Sequence, residues 1–163
     1  MTRYELARVL AAPAFPAFDN RVRRDLRRLA RSSGTRPAKV LDVGARTSPF
    51  TVGLPLRVTV LDLPREREVQ HALKLGVTDD IVEQLRRRRS NVERVVLEDM
   101  TQCSEPDAAY DGALAVEVVE HVADDDAFVA QLRRVLRPGG WAYLTTPNGD
   151  YVRNEGPDHN PDH

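Results

Sequence analysis

The stretch VLDVGARTSPF, residues 40–50, decides the fold. Its apolar residues predict a buried strand, and Gly44 directly after that strand allows the backbone to turn sharply beside a ligand. Loops that hold a pyrophosphate need two further glycines, which this loop lacks, and no Gly-Lys-Ser or Gly-Lys-Thr follows. The loop therefore disfavours NAD and a Walker-type nucleotide as its ligand.

Short apolar segments alternate with helix-like stretches along the chain. The predicted strands are Lys39–Val43, Arg57–Leu61, Arg94–Leu97, Ala113–Val116 and Trp141–Thr145. The clearest predicted helix is Asp125–Leu136, with Asp124 as a candidate N-cap. Its apolar face comprises Phe128, Val129, Leu132, Val135 and Leu136. This alternation predicts an α/β fold, a Rossmann-like doubly wound and mostly parallel sheet with helices on both faces and ligands at the carboxyl ends of its strands.

The amino-terminal part is predicted to be helical. Within Asp19–Arg31, apolar Val22, Leu26 and Leu29 recur at helical spacing. The arginines of this helix are expected on a solvated outer face rather than on phosphates, and they are Arg21, Arg23, Arg24, Arg27, Arg28 and Arg31. We divide the chain into an N-terminal helical segment at 1–36, a Rossmann-like domain at 37–148 and a polar tail at 149–163 that is expected to be flexible.

Composition excludes several classes of protein. The chain has 163 residues, of which 41% are hydrophobic, and a formal net charge of −1. This balance favours one domain with no global attraction to nucleic acid or membrane. The single cysteine, Cys103, excludes an internal disulfide and a cysteine-based zinc site. No signal-peptide pattern is present, and arginine far outnumbers lysine, so a cytoplasmic protein of a GC-rich bacterium is expected.

An acidic residue stands at the end of each of the first four predicted strands. These residues are Asp42, Asp62, Asp99 and Glu117. Asp62 lies 18 positions after Gly44, about the distance at which dinucleotide-binding folds place a carboxylate on ribose hydroxyls. The spacing therefore predicts a nucleoside ligand.

Five motifs in register resemble those of class I S-adenosylmethionine-dependent methyltransferases. They are VLDVGA at 40–45, the acid of VLDLP at 60–64, EDM at 98–100, AYDGALAVEVVEHV at 109–122 and LRPGGWAYLTTPN at 136–148. The closer resemblance is to small bacterial methyltransferases of natural-product and surface-glycan gene clusters. It implies a Rossmann-like sheet of which about five strands are present, the two C-terminal strands of the family being missing from this sequence.

The resemblance implies that the loop binds S-adenosylmethionine. Gly44 would let the backbone approach the methionine part, Asp62 would bind the ribose, and Glu117 would line the methionine site. Asp99 would accept from the adenine amino group, or serve only as a turn residue, while Met100 would pack on the ring and offer its backbone N–H. The implied cofactor-binding residues are Asp42, Gly44, Arg46, Asp62, Leu63, Asp99, Met100 and Glu117.

The missing glycines put bulkier residues near the cofactor. Arg46, Thr47 and Ser48 occupy the positions where other family members are lighter. We interpret Arg46 as reaching the cofactor carboxylate or Glu117, and Pro49 as stiffening a loop held in one shape. The alternative is a low affinity for the cofactor.

Methyl transfer to oxygen needs a group that takes the proton of the acceptor. His121 is the candidate base, with Glu120 beside it. Glu117, Glu120 and His121, joined by His163, also resemble the ligand set of metal-dependent methyltransferases, and would suit Mg, Mn or zinc. The alternative is that no metal binds and that the histidine is the base or only orders its loop.

The predicted function is O-methylation of a small hydroxylated molecule, a sugar or a natural product, by S-adenosylmethionine. One alternative is a non-catalytic or truncated cofactor-binding module, and another is metal-assisted 2′-O-methylation of RNA, although nucleic acid and membrane partners are not expected. Arg86–Arg89, after a predicted helix at Asp79–Leu85, is interpreted as a favourable helix terminus or as a site for an anionic acceptor. The fifth strand is expected to be an open edge, and three explanations compete: the sequence is a fragment of a longer gene, a second copy or a partner completes the sheet, or the chain is a degenerate remnant that binds cofactor without turnover.

Overall fold

The computed structural model describes residues 1–34, 37–46, 48–64 and 77–148. The strands are β1 Ala38–Val43, β2 Leu56–Asp62, β3 Val92–Leu97, β4 Tyr110–Val116 and β5 Leu136–Thr145. The helices are α1 Arg3–Leu10, α2 Ala17–Ser32, α3 Asp79–Arg88 and α4 Asp125–Val135. The predicted tail at 149–163 lies outside the described residues.

The five strands form one parallel sheet in the order β3-β2-β1-β4-β5. Because β1 lies between β2 and β4, the strand order reverses beside β1, and such a reversal opens a crevice at the carboxyl ends of the strands. The predicted Rossmann-like fold is confirmed. In the part of the chain that the structure describes, β3 and β5 are the edges of the sheet.

Both faces of the sheet are covered by helices, as predicted. One face carries Val40, Val58 and Leu114, which join one core cluster with residues of α2 and α3. The opposite face carries Leu41 and Leu61, which join a second cluster with residues of α4. Side chains alternate between the two faces along each strand. By that alternation Asp42 lies on the α2 face, two residues after Val40.

The fifth strand begins earlier than predicted, at Leu136 instead of Trp141. The register between β4 and β5 shifts between Tyr110 and Gly112, opposite a segment in which Gly139 has a φ of 75°. Such a bulge absorbs the extra residues without ending the strand. Trp141 packs against the core, and a Cβ at Gly112 would lie 2.3 Å from its ring.

Helix α4 begins as the sequence predicts. The Asp124 carboxylate accepts a hydrogen bond of 2.8 Å from the Ala127 amide, which satisfies one of the unpaired donors of the first turn. One residue of the predicted apolar face differs, because Val129 is 49% exposed while Phe128 and Leu132 are buried. No helix among the described residues is long and apolar enough to cross a membrane.

Helix α1 lies within the segment at 1–36 that was predicted to be helical, but its capping was not predicted. Thr2 and Glu5 form a reciprocal capping box at its start. The fully buried Glu5 carboxylate also accepts 2.8 Å hydrogen bonds from the backbone N–H and the hydroxyl of Ser90. These bonds fix α1 to the segment that enters β3.

Helix α2 confirms the predicted amphipathic helix, with one correction. Val22 and Leu26 are buried in the core together with Ala30, whereas Leu29 is only partly buried. Arg23, which was expected on the solvated face, is only 1% exposed and points into the protein. Arg23 lies three positions before Leu26 and seven positions before Ala30. Residues at these spacings share one side of a helix, so Arg23 faces the core with them.

The described residues of the crossover from β1 to β2 do not form the helix that the predicted alternation implies. These residues, 44–46 and 48–55, lie in turns and bends or have no regular structure. Helices do precede β3 and β5, so the alternation of strands and helices holds there. The short crossover brings Gly44 and the end of β2 close together.

Candidate functional site

The loops after β1 and β4 meet where the strand order reverses. Gly44 has a φ of 67°, in the region that glycine adopts most readily. A Cβ at this position would lie 2.6 Å from Cγ2 of Val118, which follows β4. Gly44 is therefore required both for its backbone conformation and for the close approach of the two loops.

Asp62 ends β2 and faces this loop. Its Oδ2 accepts a hydrogen bond of 3.0 Å from the Arg46 amide, and its Oδ1 accepts one of 2.9 Å from the Leu63 amide. Burial raises the pKa of Asp62 above its ordinary value, although these amide bonds favour the ionised form. A carboxylate has about four acceptor positions, so two amide bonds leave capacity for hydroxyl donors. The structure thus brings Gly44, Arg46, Asp62 and Leu63 together.

Asp42 lies behind the loop. It is 1% exposed, and its Oδ2 accepts a hydrogen bond of 2.7 Å from the Thr51 hydroxyl. Arg89 lies 3.7 Å from the same oxygen and also donates to Thr51. Burial raises the pKa of Asp42 to about 6, against the attraction of Arg89. Its carboxylate is therefore enclosed by Thr51 and Arg89 and supports the loop from inside the protein.

Asp99 and Met100 lie in the turn that follows β3. The Asp99 carboxylate caps a short turn, with its Oδ1 accepting from the amide and the hydroxyl of Thr101 at 2.8 Å each. Asp99 therefore has the turn role that the sequence analysis gave as the alternative to binding adenine. The residue is also exposed to solvent. Met100 is 3% exposed and belongs to the core cluster on the α4 face. Its side chain thus packs in the core and, contrary to the expectation, is not available to cover a ligand ring.

Glu117, directly after β4, has a strained backbone. Its φ is 54°, which is uncommon for a residue other than glycine. Two contacts with Thr145 on β5 hold it there, because the Glu117 amide donates to the Thr145 carbonyl at 3.0 Å and the Thr145 hydroxyl donates to its Oε1 at 2.8 Å. Such outliers cluster at functional sites.

Glu120 and His121 lie in a single helical turn, Val119–His121, next to Glu117. The His121 amide donates to the Val118 carbonyl at 3.0 Å, and His121 is exposed to solvent. Within residues 1–34, 37–46, 48–64 and 77–148, no group of three or more His, Cys, Asp or Glu residues is arranged to hold a metal ion. The fourth predicted ligand, His163, lies outside the described residues.

The arginine run divides into two environments. Arg86, Arg87 and Arg88 form the exposed last turn of α3, in agreement with a helix terminus that complements the dipole. Arg89 is instead 3% exposed and lies beside Asp42. The sequence prediction missed this contact, together with the roles of Arg23 and Thr51.

A groove of about 490 Å³ lies apart from these residues, between α4 and β5. It is lined mainly by apolar side chains, which include Val129, Leu136, Ala142 and Leu144. None of the residues predicted to bind the cofactor lines it.

Comparison with known proteins identifies the family. A family model described as a methyltransferase domain matches residues 17–161. The ubiquinone biosynthesis O-methyltransferase of Chromobacterium violaceum is 31% identical over 116 residues, which cover 68% of this chain and 44% of that protein. The chain spans less than half the length of the curated relatives that it matches.

Solved structures share the fold. The N1-methyltransferase of Burkholderia thailandensis, solved with 1,6-didemethyltoxoflavin and S-adenosylhomocysteine, is 24% identical with a TM-score of 0.53 and covers 76% of this chain and 51% of that chain. The cyclase SpnF is 23% identical with the same TM-score of 0.53, and covers 75% of this chain and 44% of that chain. Because a cyclase and a methyltransferase share this fold, the fold alone does not determine the reaction. The match over residues 17–161 does determine the family, and this chain belongs to the methyltransferase-domain family of class I S-adenosylmethionine-dependent enzymes.

Proposed function

We propose that this chain binds S-adenosylmethionine at the carboxyl ends of β1, β2 and β4 and supports methyl transfer to an oxygen of a small hydroxylated molecule. The observation that carries the proposal is the joint arrangement of Gly44, Asp62 and Glu117 around the point where the strand order reverses. A crevice at that point is where open α/β sheets hold nucleoside ligands.

The residues present fit this cofactor. The Asp62 carboxylate, with one amide bond on each oxygen, retains acceptor positions that suit the two hydroxyls of a ribose. Gly44 presents backbone instead of a side chain, as a closely approaching ligand requires. The loop is too poor in glycine to enclose a pyrophosphate, so a nucleoside with an amino-acid substituent fits better than NAD.

The other predicted residues have supporting roles. Leu63 and Met100 would lie along the nucleoside, with the Met100 backbone N–H as a donor to the adenine ring. Asp99, exposed at the edge of the crevice, would accept from the adenine amino group through the carboxylate that also caps its turn. Asp42 would hold the loop in shape through Thr51.

Catalysis is assigned to the turn after β4. When bound, S-adenosylmethionine supplies a strongly electrophilic methyl group, so that the protein mainly aligns the reactants and removes a proton. The exposed His121 is proposed as the base that takes the proton of the acceptor hydroxyl, with Glu120 beside it. The position of Glu117, strained at the end of β4, favours an acceptor site over the same crevice.

Oxygen is favoured over nitrogen as the acceptor. The relative from Chromobacterium violaceum is named as an O-methyltransferase. The sequence Glu117-Val118-Val119 also lacks the asparagine or aspartate next to proline and an aromatic residue that is typical of relatives that methylate amino groups. A sugar or natural-product hydroxyl is the proposed substrate class.

The test is calorimetric titration of the chain with S-adenosylhomocysteine, with NAD as a control ligand and with and without Mn. Saturable binding of S-adenosylhomocysteine alone is expected, and it would justify a search for the acceptor among small hydroxylated molecules. A folded chain that binds neither ligand would refute the cofactor site. Binding that requires Mn would revive the metal-dependent alternative, which the described residues do not support.

A further inference from the structure

The crossover from β1 to β2 is held by side chains instead of by the hydrogen bonds of a helix. Phe50, Thr51, Val52 and Leu54 are between 0% and 9% exposed, although the described residues of this crossover form no helix. A buried carbonyl without a donor costs about 1–3 kcal/mol. Turns within the segment supply some donors, since the amides of Val52 and Leu54 donate to the carbonyls of Pro49 and Thr51 at 3.4 and 3.2 Å, and side chains from other parts of the protein supply more.

Arg23 supplies most of them from α2. Its Nη1 lies 2.9 Å from the Pro49 carbonyl oxygen, 3.1 Å from that of Phe50 and 2.8 Å from that of Val52. The side chain is 1% exposed, and burial lowers its pKa to about 10, so that the guanidinium remains charged at neutral pH. A buried cation in contact with three carbonyl dipoles is a strong and specific anchor for this turn.

Two further side chains complete the anchoring. Asn91 donates to the carbonyl oxygens of Thr51 at 2.7 Å and Leu54 at 3.3 Å. The Thr51 hydroxyl donates to Asp42 at the end of β1 and accepts from Arg89. The far half of the crossover is thus fastened to α2, to β1 and to the segment that enters β3.

The near half of the same crossover forms the cofactor site. The Gly44 amide donates to the Leu61 carbonyl at 2.8 Å, and the Arg46 amide donates to Asp62 at 3.0 Å. Only a few residues separate Arg46 from Pro49, so the position of the anchored half restricts the position of the amides that contact Asp62.

We propose that Arg23 is a positioning residue for the cofactor, which acts through the crossover without touching the ligand. This inference rests on the proposed function, because it concerns the same site. The Arg23 guanidinium, in place of the backbone hydrogen bonds of a helix, supports residues 49–52. It thereby fixes the amides of residues 44–46 beside Asp62.

The test compares Arg23→Met with Arg24→Met, which changes an exposed arginine of the same helix. The affinity for S-adenosylhomocysteine is measured by calorimetry well below the unfolding temperature, and amide hydrogen exchange is measured in residues 44–54 without ligand. We expect Arg23→Met to weaken binding about tenfold or more, which corresponds to 1.4 kcal/mol, and to speed exchange in the crossover. Arg24→Met should change neither. Arg23→Lys, which keeps the charge and the donors, should recover part of the affinity, as a purely structural defect in packing would not.

The outcomes separate this inference from the proposed function. Wild-type binding with unchanged affinity in Arg23→Met would overturn the positioning role and leave the cofactor site intact. Failure of the wild type to bind would overturn both, while hydrogen exchange would still report whether Arg23 orders the crossover. If Arg23→Met does not fold, Asn91→Ala releases the neighbouring carbonyls instead. Weaker binding in that variant supports the role of the anchored crossover, and unchanged affinity contradicts it.

Discussion

The ends of β1 and β4 lie side by side in the sheet but are built in opposite ways. Behind β1, Asp42, Thr51 and Arg89 are between 0% and 3% exposed and contact one another. After β4, Glu117 and His121 are exposed, and the backbone of Glu117 is strained. The first region is thus fixed from within by buried polar contacts, whereas the second lies at the surface.

This difference separates the two tasks of the site. The region that would bind the cofactor is supported by groups that no solvent reaches, so changes behind it should act on stability and affinity together. In the turn that would receive the acceptor, His121 is exposed, so removing its side chain should leave both nearly unaltered. The following predictions test that contrast from its largest effect to its smallest.

Asp42→Ala is expected to have the largest effect. It removes the carboxylate beside the buried Arg89 and leaves a guanidinium without its partner charge, which typically costs about 3–5 kcal/mol. Urea unfolding monitored by circular dichroism measures this loss. The control is Glu83→Ala, which breaks an exposed ion pair with Arg87 and should cost less than about 1 kcal/mol. Equal losses in the two variants would contradict the contrast.

Stability should also depend on the titration of Asp42. Its pKa is about 6 in the folded protein against an ordinary value of 3.8, so the folded state binds the proton more tightly. Protonation of Asp42 therefore adds to the free energy of unfolding. This contribution, about 3 kcal/mol in total, is fully present below pH about 4 and is lost as pH rises to about 6. The measurement is the difference in unfolding free energy between wild type and Asp42→Asn across this range. A difference that does not change with pH would show that Asp42 titrates normally.

Asp62→Ala should weaken the binding of S-adenosylhomocysteine by about 1.5–3 kcal/mol, the usual value of hydrogen bonds to a charged group. The variant also frees the amides of Arg46 and Leu63, which now donate to this carboxylate. Calorimetric titration measures the change, and an unaltered dissociation constant would refute the assignment of Asp62 to the ribose.

Gly44→Ala should lower the free energy of unfolding by about 1–2 kcal/mol, the cost of a left-handed backbone for a residue with a Cβ. The new methyl group would also meet Val118 at 2.6 Å. Gly139→Ala is the matched control, because its φ of 75° is similar and nothing lies within 4 Å of its added Cβ. Gly44→Ala should therefore be the more harmful change, and adding Val118→Ala should recover only the steric part. Equal effects at the two glycines would exclude the steric contribution.

His121→Ala should have the smallest effect on binding. The side chain is exposed, and its helical turn is held by backbone contacts with Val118. The affinity for S-adenosylhomocysteine is expected to stay at the wild-type value, while turnover falls once an acceptor is known. Loss of affinity comparable to that of Asp62→Ala would make His121 part of the cofactor site instead of the base.

Much of this site could be predicted from the sequence because parallel strands bring their carboxyl ends to one edge. Local signals also existed for two features that the prediction missed. Thr2 and Glu5 have the spacing of a capping box, and Arg23 stands in helical register with Leu26 and Ala30, on the apolar side. The helical position of Arg23 predicts a buried side chain, whereas its charge alone predicts an exposed one.

Other contacts could not be predicted from local patterns. Arg89 and Thr51 are 38 positions apart, and Asn91 reaches the Thr51 carbonyl over 40 positions. Such pairs depend on which strands become neighbours, and nothing in a run of four arginines distinguishes the one that is buried. The direction of Met100 likewise depends on how the turn after β3 packs on the core.

The contact between α2 and the crossover also bears on modularity. From the sequence, residues 1–36 were predicted as a helical segment separate from the Rossmann-like domain. Arg23 makes the two parts interdependent, because a domain without α2 would leave the buried carbonyls of Phe50 and Val52 without the Arg23 donor. The sheet at 38–145 is therefore expected to need α2 for an ordered crossover, so a fragment that begins after α2 should fold less well than the whole chain.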